Sequence, residues 1–229
     1  MKNVNDVCVV VQARLGSQRV PQKMIRPFAG TTLMDICLEK LSQSQIIPKE
    51  NIFSSVCEKE LVEISNNHNI NVFHRSQESA DSEGTPMTLM YEWWNKLPYK
   101  YCILVNGCAP FLPLETIENF YSDYLSSSTD GLFGVIKKKN YFWNKDSELI
   151  TPWPDGQAVM NTKFVGVTYE AAHCLYAGAM SKIGEGIWMG DFSTPGDIKL
   201  YEMEEREVFD VDYEWQFKYF EKLYKLGVR

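Results

Sequence analysis

Alternation of two hydrophobic patterns is the feature of this sequence that most restricts its fold. Through the first 130 residues, short apolar runs typical of buried strands alternate with segments that carry apolar residues at helical spacing. This alternation predicts an α/β fold with a mainly parallel central sheet and helices on both faces. The predicted strands are residues 7–11, 51–56, 69–74 and 101–105, and the predicted helices are residues 33–41, 58–67, 85–94 and 116–125.

Two of these helices have capping signals in the sequence. Thr31 or Thr32 precedes the first predicted helix and supplies a capping hydroxyl. Thr85 precedes Pro86, so we expect a threonine cap followed by proline at the first helical position.

The pattern changes near residue 130. Residues 131–136 predict another strand, which the aromatic residues 141–143 extend or follow. Residues 137–163 include a stretch rich in proline, aspartate, asparagine and glycine, which indicates an irregular excursion or a β-hairpin outside the main layers. The last two predicted elements are a strand at residues 207–213 and a helix at residues 215–226. We therefore expect one domain over residues 1–229 with a single insertion.

Composition restricts the class of protein further. The chain has 229 residues, 45% of them hydrophobic, and a net charge of −7, which suits one α/β core and argues against a surface that coats nucleic acid. The longest apolar run falls well short of the roughly 18–20 residues needed to cross a bilayer. The six cysteines form no C-x-x-C pair and there are three histidines, so no zinc cluster is expected. We expect a cytoplasmic protein that binds neither membranes nor nucleic acid.

Residues 13–23, Ala-Arg-Leu-Gly-Ser-Gln-Arg-Val-Pro-Gln-Lys, directly follow the first predicted strand. A parallel strand delivers such a loop to the carboxyl edge of the sheet, where open α/β folds bind ligands. Arg14, Arg19 and Lys23 bring three cations there, and Gly16 lets the backbone approach a phosphate closely. The loop matches neither G-x-x-x-x-G-K-[ST] nor G-x-G-x-x-G. It therefore predicts a polyphosphate-binding loop of another kind, and a solvated basic turn is the alternative.

Asp210 and Asp212 stand two residues apart in the last predicted strand, so their side chains would project from one face. Adjacent carboxylates repel each other unless a cation lies between them. Mg²⁺ is commonly held by one or two carboxylates together with substrate phosphates. The pair therefore predicts a magnesium site, and the alternative is a strand end at which Asp212 caps the following helix.

Several other residues have two interpretations at this stage. Asn106 ends the predicted central strand, where it either contacts a ligand through its amide or belongs to an ordinary β–α turn. The lysine run at residues 137–139, with Lys163 in the same excursion, either forms a solvated face or attracts an anionic second substrate. His173 is either a structural histidine or a base.

The signature loop of the acylneuraminate cytidylyltransferases (the CMP-sialic acid synthetases and their relatives) reads A-R-x-G-S-K-[RG]-[IL]-P-x-K-N, and residues 13–23 resemble it. Residues 27–30, Pro-Phe-Ala-Gly, are similar to the family's P-[LF]-x-G. Phe-Asp-Val-Asp at residues 209–212 is similar to its late I-D-I-D. Between these lie further matches, in order along nearly the whole chain, at His74, Arg75, Asp81, Ser82, Thr85 and residues 106–110.

The resemblance implies a nucleotide-diphospho-sugar transferase-like, Rossmann-like fold. It also implies a homodimer in which an excursion, here residues 137–180, reaches the other subunit. The implied activity is transfer of CMP from CTP to an acidic sugar, a sialic acid-like nonulosonic acid or a related ulosonic acid, with Mg²⁺ as cofactor and pyrophosphate as product. Such products serve surface glycan biosynthesis.

The loop pattern and the resemblance together predict the site residues. The predicted nucleotide-binding residues are Ala13, Arg14, Gly16, Ser17, Arg19, Lys23, Arg75 and Thr85. The predicted substrate-binding residues are Asn106, Lys163 and His173, and the predicted metal ligands are Asp210 and Asp212. Catalytic roles are predicted for Arg14, Lys23 and Asp210.

The sequence departs from the family pattern at three positions. Gln18 replaces the usual lysine, Met24 the usual asparagine, and Asn106 stands where glutamine is typical. The relaxed loop also resembles that of spore-coat-polysaccharide-type cytidylyltransferases. Two alternatives therefore stay open beside the acidic sugar: a nucleotidyltransferase with a different sugar or anionic acceptor, and a CTP-binding relative without turnover.

Overall fold

The computed structural model describes residues 1–81, 84–187 and 190–227, and these contain seven strands and six α-helices. The strands are β1 Val7–Gln12, β2 Ile52–Val56, β3 Asn71–His74, β4 Tyr101–Val105, β5 Gly131–Lys138, β6 Thr168–Ala179 and β7 Ile198–Met203. The helices are α1 Leu33–Ser42, α2 Lys59–Asn67, α3 Met87–Met90, α4 Leu114–Ser126, α5 Met180–Gly184 and α6 Glu214–Lys225.

All seven strands form one sheet in the order β3-β2-β1-β4-β6-β5-β7. β1 pairs in parallel with β2 on one side and with β4 on the other, so that Val9 lies between Ile52 and Ile103. β6 runs antiparallel to both of its neighbours, and β7 is parallel to β5. The predicted α/β fold with a mainly parallel sheet is confirmed.

Both faces of the sheet are covered, which explains why β1 is apolar along its length. Val7, Val9 and Val11 pack into a cluster with buried residues of α1, α4 and α6. Cys8 and Val10 point to the opposite face and pack against a second cluster that includes residues of α5. Fully burying one such aliphatic side chain stabilises a fold by about 1.5–3 kcal/mol, so a strand buried on both faces anchors the loop that follows it.

Most of the predicted elements of the first half are present. Thr32 is the N-cap of α1, and its hydroxyl oxygen accepts a hydrogen bond from Asp35 N–H. The long helix predicted at residues 85–94 is wrong, because α3 is a single turn followed by a 3₁₀ turn at Glu92–Asn95.

The cause of this difference is tertiary packing of one tryptophan. Trp93 is fully buried, and its indole N–H donates a hydrogen bond to Gln12 Oε1 over 2.8 Å. Pro86, rather than Thr85, occupies the N-cap position, and the Thr85 hydroxyl donates to Asp81 O instead of capping the helix.

The second half differs more from the prediction. Residues 168–179 were assigned to the insertion, but they form β6, which lies between β4 and β5 in the sheet. The excursion outside the sheet is therefore residues 139–167, where Trp143 and Leu149 form an isolated antiparallel bridge. The strand signal was weak because the first half of β6 is largely exposed and the second half largely buried.

The strand predicted at residues 207–213 is also wrong. The edge strand is β7, and Glu205–Glu207 is a 3₁₀ turn followed by an irregular segment. The backbone of this segment bonds to loops instead of strands, since Val211 N–H donates to Cys108 O and Val211 O accepts from Lys23 Nζ. The N-cap of α6 is Tyr213, whose backbone N–H donates to Gln216 Oε1, so the alternative of an Asp212 cap is wrong as well.

Every helix within the described parts of the chain is too short or too polar to cross a lipid bilayer.

Candidate active site

Three adjoining clefts lie where β1 and β4 end. The strand order reverses here, because the chain continues from β1 to β2 on one side while β4 lies on the other, and such a switch point opens a crevice at the carboxyl edge of the sheet. We name the clefts the loop cleft (about 390 Å³), the Asp210 cleft (about 560 Å³) and the Arg75 pocket (about 170 Å³). Arg19 lines both the loop cleft and the Asp210 cleft, and Arg14 lines both the loop cleft and the Arg75 pocket, so the three adjoin one another.

The loop cleft brings together most of the predicted nucleotide-binding residues. It is lined by Gln12, Ala13, Arg14, Ser17, Gln18, Arg19, Lys23, Met24 and Cys108. Arg14 donates to Ala80 O over 2.8 Å, and Lys23 donates to Val211 O over 2.6 Å. The guanidinium of Arg19 pairs with Asp212 Oδ1 at 2.7 Å. Three cations therefore line one cleft, and each is already oriented by a contact outside the loop.

Met24, one of the unusual positions, forms an apolar floor under this loop. Its side chain is 3% exposed, and its sulfur lies 3.5 Å from Cys108 Sγ. A Cβ atom at Gly107 would lie only 2.9 Å from Met24 Cε, so the methionine and the glycine fit each other. The replacement of the family's asparagine is thus a packing change beneath the loop.

The Arg75 pocket contains an unusual pair of guanidinium groups. Arg75 is 6% exposed, and its Nε atom has no hydrogen-bond partner among the described residues. Burial lowers the pKa of Arg75, and the nearby charge of Arg14 adds to the effect, against the raising influence of Cys57 and Glu58. Two cations with an unsatisfied donor beside a small pocket favour an anionic or strongly hydrogen-bonding ligand.

Gln12 was missed by the sequence analysis although it lines both the loop cleft and the Arg75 pocket. Its amide is held in place, because Nε2 donates to Met90 O and Oε1 accepts from Trp93 Nε1. Each end of the amide keeps a further hydrogen-bonding capacity. The sequence contained one signal that could have identified it, namely a polar residue at the end of an otherwise apolar strand.

A bulge in β6 shapes the wall of the Asp210 cleft. Phe133 pairs with Tyr176, but Val135 pairs with Ala171, so extra residues of β6 loop out between these pairs. His173 lies in this bulge with φ of 54°, a left-handed conformation that is uncommon for a residue with a side chain. His173 lines the cleft, and its Nδ1 lies 3.1 Å from the Tyr176 hydroxyl.

Asn106 connects β4 to this bulge. Its Nδ2 donates to His173 O over 2.9 Å, and its Oδ1 accepts from Cys108 N–H over 2.9 Å. Asn106 therefore lines the Asp210 cleft, where a ligand could contact it, and it also stabilises the β–α turn through its side chain. Each of the two interpretations of this residue thus matches part of its environment.

Asp210 and Asp212 both line the Asp210 cleft, although they do not lie on a strand. Burial raises the pKa of Asp210 and the charge of Asp212 adds to this, while the charge of Lys23 lowers it. The Oδ1 atom of Asp210 is buried and lacks a hydrogen-bond partner among the described residues. By contrast, Asp212 Oδ1 accepts from Arg19 and lies 3.7 Å from Lys23 Nζ.

These two carboxylates fit a divalent cation unequally. A buried oxygen without a donor, beside a second carboxylate, is the kind of ligand that Mg²⁺ takes together with phosphate oxygens and water. Asp212 could join through its second carboxylate oxygen, or by exchanging the ion pair that its Oδ1 makes with Arg19. No group of three or more His, Cys, Asp or Glu side chains suited to a metal occurs in the described ranges. Substrate oxygens would therefore have to supply the remaining ligands.

Acidic side chains outnumber basic ones in the Asp210 cleft. Lys138 lines it and forms ion pairs with Glu170 and Glu205, which line it too. The second member of the predicted lysine run thus faces the cleft, but with its charge compensated.

Three of the predicted site residues are not among the described residues that line the three clefts. Gly16 is exposed at the tip of the loop, Thr85 contacts Asp81 O, and Lys163 is exposed on the excursion. Ser82, which contributed to the family resemblance, lies outside the described residues.

Comparison with known proteins assigns the chain to a family. The sequence profile of the family described as "Cytidylyltransferase" matches residues 8–183, well over half of the chain. The spore coat polysaccharide biosynthesis protein SpsF of Bacillus subtilis (strain 168) is 35% identical over 81 residues, which cover 33% of this chain and 34% of that protein. The chain is thus matched to about a third of this curated relative.

Solved structures share the fold at low sequence identity. CMP:2-keto-3-deoxy-manno-octonic acid synthetase in complex with CTP superposes with a TM-score of 0.68 at 12% identity, covering 96% of this chain and 99% of that one. A cytidylyltransferase from Leptospira borgpetersenii gives 0.62 at 15% identity, covering 96% and 87%. The 4-diphosphocytidyl-2C-methyl-D-erythritol synthase of Anaerococcus prevotii gives 0.67 at 13% identity, covering 97% and 100%. With the fold shared and the family profile matched, the chain belongs to the cytidylyltransferase family of nucleotidyltransferases.

Proposed function

We propose that this protein transfers CMP from CTP to a hydroxyl group of a sugar-like acceptor and releases pyrophosphate. The observation that carries the proposal is the division of one crevice into a cationic loop cleft and an adjoining cleft that contains the unpartnered Asp210 carboxylate oxygen. Membership of the cytidylyltransferase family supports the same reaction.

The triphosphate is assigned to the loop cleft. Arg14, Arg19 and Lys23 line it, and opposite charges ~4 Å apart near a protein surface attract by about 4 kcal/mol. The nucleoside end is assigned to the Arg75 pocket, where the fixed amide of Gln12 offers a hydrogen-bonding edge. Because Arg14 lines both spaces, one nucleotide can lie across them.

The acceptor is assigned to the Asp210 cleft. Its hydroxyl oxygen would lose its proton to solvent and form a bond to the α-phosphorus, while the bond from that phosphorus to the bridging oxygen breaks and its electron pair leaves with pyrophosphate into the loop cleft. The residues act by alignment and by neutralising charge that grows on the departing pyrophosphate, a task suited to Arg14 and Lys23. Mg²⁺ held at Asp210 would polarise the α-phosphate.

An acidic sugar of the nonulosonic or ulosonic type, for surface glycan synthesis, is the first candidate acceptor, on the basis of the sequence resemblance. A sugar carboxylate needs a cation, and Lys163 on the excursion would provide one if the excursion reached the cleft of a second subunit. The excursion exposes apolar side chains, including Ile150, Met160 and Phe164, which supports the proposal of a homodimer.

A non-acidic sugar is the second candidate, and the charges of the Asp210 cleft favour it. Among the described residues that line it, Glu170, Glu205, Asp210 and Asp212 face Arg19 and Lys138, which are both engaged in ion pairs, and the imidazole of His173. Carboxylates at such positions accept hydrogen bonds from hydroxyl or amino groups and repel a sugar carboxylate.

Pyrophosphate release by purified protein tests the proposal. With Mg²⁺ and CTP, we expect release to depend on an added acceptor and to disappear in Asp210→Asn. Sialic acid and 3-deoxy-manno-octulosonic acid would be compared with neutral hexoses and amino sugars. CTP binding by calorimetry without release for any acceptor would favour a non-catalytic relative, and absence of CTP binding would contradict the proposal.

Sedimentation velocity tests the homodimer. Ile150→Ser combined with Phe164→Ser removes two exposed apolar groups of the excursion and should shift the protein toward monomer while leaving CTP binding unchanged.

A cytoplasmic location also remains a proposal, supported by six cysteines that are all free.

A further inference from the structure

Glu58 connects the strand next to β1 with the loop that follows β1. It comes two residues after β2, and its Oε1 accepts a hydrogen bond from Leu15 N–H over 2.7 Å. Its Oε2 lies 3.1 Å from the Cys57 thiol, which donates to it. Since Leu15 directly follows Arg14, this carboxylate holds the backbone beside a cation of the loop cleft.

The position of Glu58 in its own helix does not explain this contact. Glu58 is the N-cap residue of α2, where a side-chain oxygen usually accepts from a backbone N–H of the first helical turn. The Glu58 side chain makes no such capping bond and reaches across to the loop instead.

The surroundings also keep Glu58 in the charged form that binds an N–H group most strongly. Burial alone would raise the pKa of Glu58, but hydrogen bonds from Leu15 and Cys57 and the charge of Arg75 outweigh it and lower the pKa. A charged acceptor makes a hydrogen bond roughly twice as strong as a neutral one.

We propose that Glu58 is a positioning residue for residues 13–23, the phosphate loop of the proposed function. Its carboxylate holds Leu15 N–H so that the Arg14 guanidinium faces the triphosphate. Arg14 is then fixed at two points, by Glu58 through the neighbouring backbone and by Ala80 O at its own Nη1. The inference rests on the proposed function in one respect, namely that CTP occupies the loop cleft.

Three variants test this role. Glu58→Ala removes the acceptor, Glu58→Gln keeps an oxygen that can accept from Leu15 N–H, and Glu60→Ala is a control on the exposed face of the same helix. Calorimetry would measure binding of CTP and of CMP, and hydrogen exchange without nucleotide would measure protection of the Leu15 amide.

We expect Glu58→Ala to weaken CTP binding by about tenfold, in proportion to one hydrogen bond to a charged group. CMP binding should change little, because CMP lacks the β- and γ-phosphates that the loop would hold. Protection of the Leu15 amide should be lost in Glu58→Ala and largely kept in Glu58→Gln, which should also recover most of the CTP affinity. Glu60→Ala should behave as the unsubstituted protein.

Two results would overturn the inference. One is an unchanged CTP affinity in Glu58→Ala, and the other is an equal loss for CTP and CMP, which a general loosening of the fold would produce. If the unsubstituted protein bound no CTP, the proposed function would fail by itself. The Glu58 tether would then be judged by amide exchange alone, and unchanged Leu15 protection in Glu58→Ala would refute it.

Discussion

The proposed nucleotide side and the proposed acceptor side of the crevice are built in different ways. The nucleotide side comes largely from one continuous segment, residues 13–23, which extends from a strand buried on both faces. The acceptor side is assembled from the turn after β4, the bulge of β6, Lys138 of β5 and the segment before α6. A site built from one loop has a local sequence signature, whereas a site built from four distant segments depends on the topology that brings them together.

Contacts between the two sides show how they depend on each other. Arg19 pairs with Asp212, and Lys23 donates to Val211 O, so the cations of the loop hold the segment that contains the carboxylates. If CTP and Mg²⁺ bind as proposed, the phosphates take over contacts with the cations and the metal competes for the carboxylates. The following predictions test whether the sides are separable, beginning with the largest expected effect.

Asp210→Asn should separate catalysis from nucleotide binding. It removes the charge that would hold Mg²⁺, so turnover should fall by roughly a thousandfold, the equivalent of several kcal/mol of charge stabilisation. CTP affinity measured by calorimetry should stay within about threefold, because the loop cleft keeps its cations. Asp155→Asn, an exposed change in the excursion, is the control. Normal turnover in the Asp210→Asn variant would contradict the proposed role of Asp210 in holding Mg²⁺ for catalysis.

Lys23→Ala should affect the nucleotide side more than the acceptor side. Loss of one charge-assisted contact should weaken CTP binding by about 10- to 100-fold, while the KM for the acceptor stays nearly constant. The matched control is Lys59→Ala, since Lys59 is an exposed lysine on α2. Equal losses for both substrates would mean that the Lys23 contact with Val211 couples the two sides strongly.

Asp210→Asn should also change the dependence of stability on pH. Because the pKa of Asp210 is raised in the folded protein, the folded state binds more protons than the unfolded state between the two pKa values. Stability is therefore lost as pH rises from the ordinary aspartate value of 3.8 through the folded value, and the loss persists at neutral pH. The asparagine variant should have a higher Tm at neutral pH, and this gain should shrink toward about pH 4. Thermal unfolding at several pH values measures it, and a lower Tm at neutral pH would contradict the argument.

Arg19→Ala should have the smallest effect. The Arg19 side chain is 56% exposed, and exposed ion pairs contribute little because water and salt screen them, so freeing Asp212 should tighten Mg²⁺ binding in the absence of nucleotide by at most about fivefold. The same change should weaken CTP binding. Calorimetric titration with Mg²⁺ measures the first effect, and weaker Mg²⁺ binding would show that Arg19 supports the carboxylates instead of competing for them.

Local patterns were sufficient for the first half of the sheet. β1, β2 and β4 are largely buried, β3 is half-buried at its centre, and helices with regular apolar spacing separate most of these strands, so periodicity identified them. The third helix was the exception, because burial of Trp93 replaced a regular helix with one turn and a 3₁₀ turn.

Local sequence patterns did not predict the segments whose conformation depends on contacts with residues far away in the chain. β6 runs antiparallel through the sheet with a bulge at His173, and its exposed first half resembles a loop. Asp210 and Asp212 were placed on a strand that does not exist, yet both line the same cleft because the turn after β4 and the phosphate loop hold the segment.

The sequence by itself determined the fold class and the basic loop at residues 13–23, because buried strands, amphipathic helices and a basic loop leave their physical requirements in adjacent residues. Only the tertiary structure decided the acceptor side: the bulge of β6, the engagement of Gln12 and Asn106, the compensation of Lys138 by two glutamates, and the unpartnered oxygen of Asp210. These features depend on contacts between residues far apart in the chain, which no local pattern records.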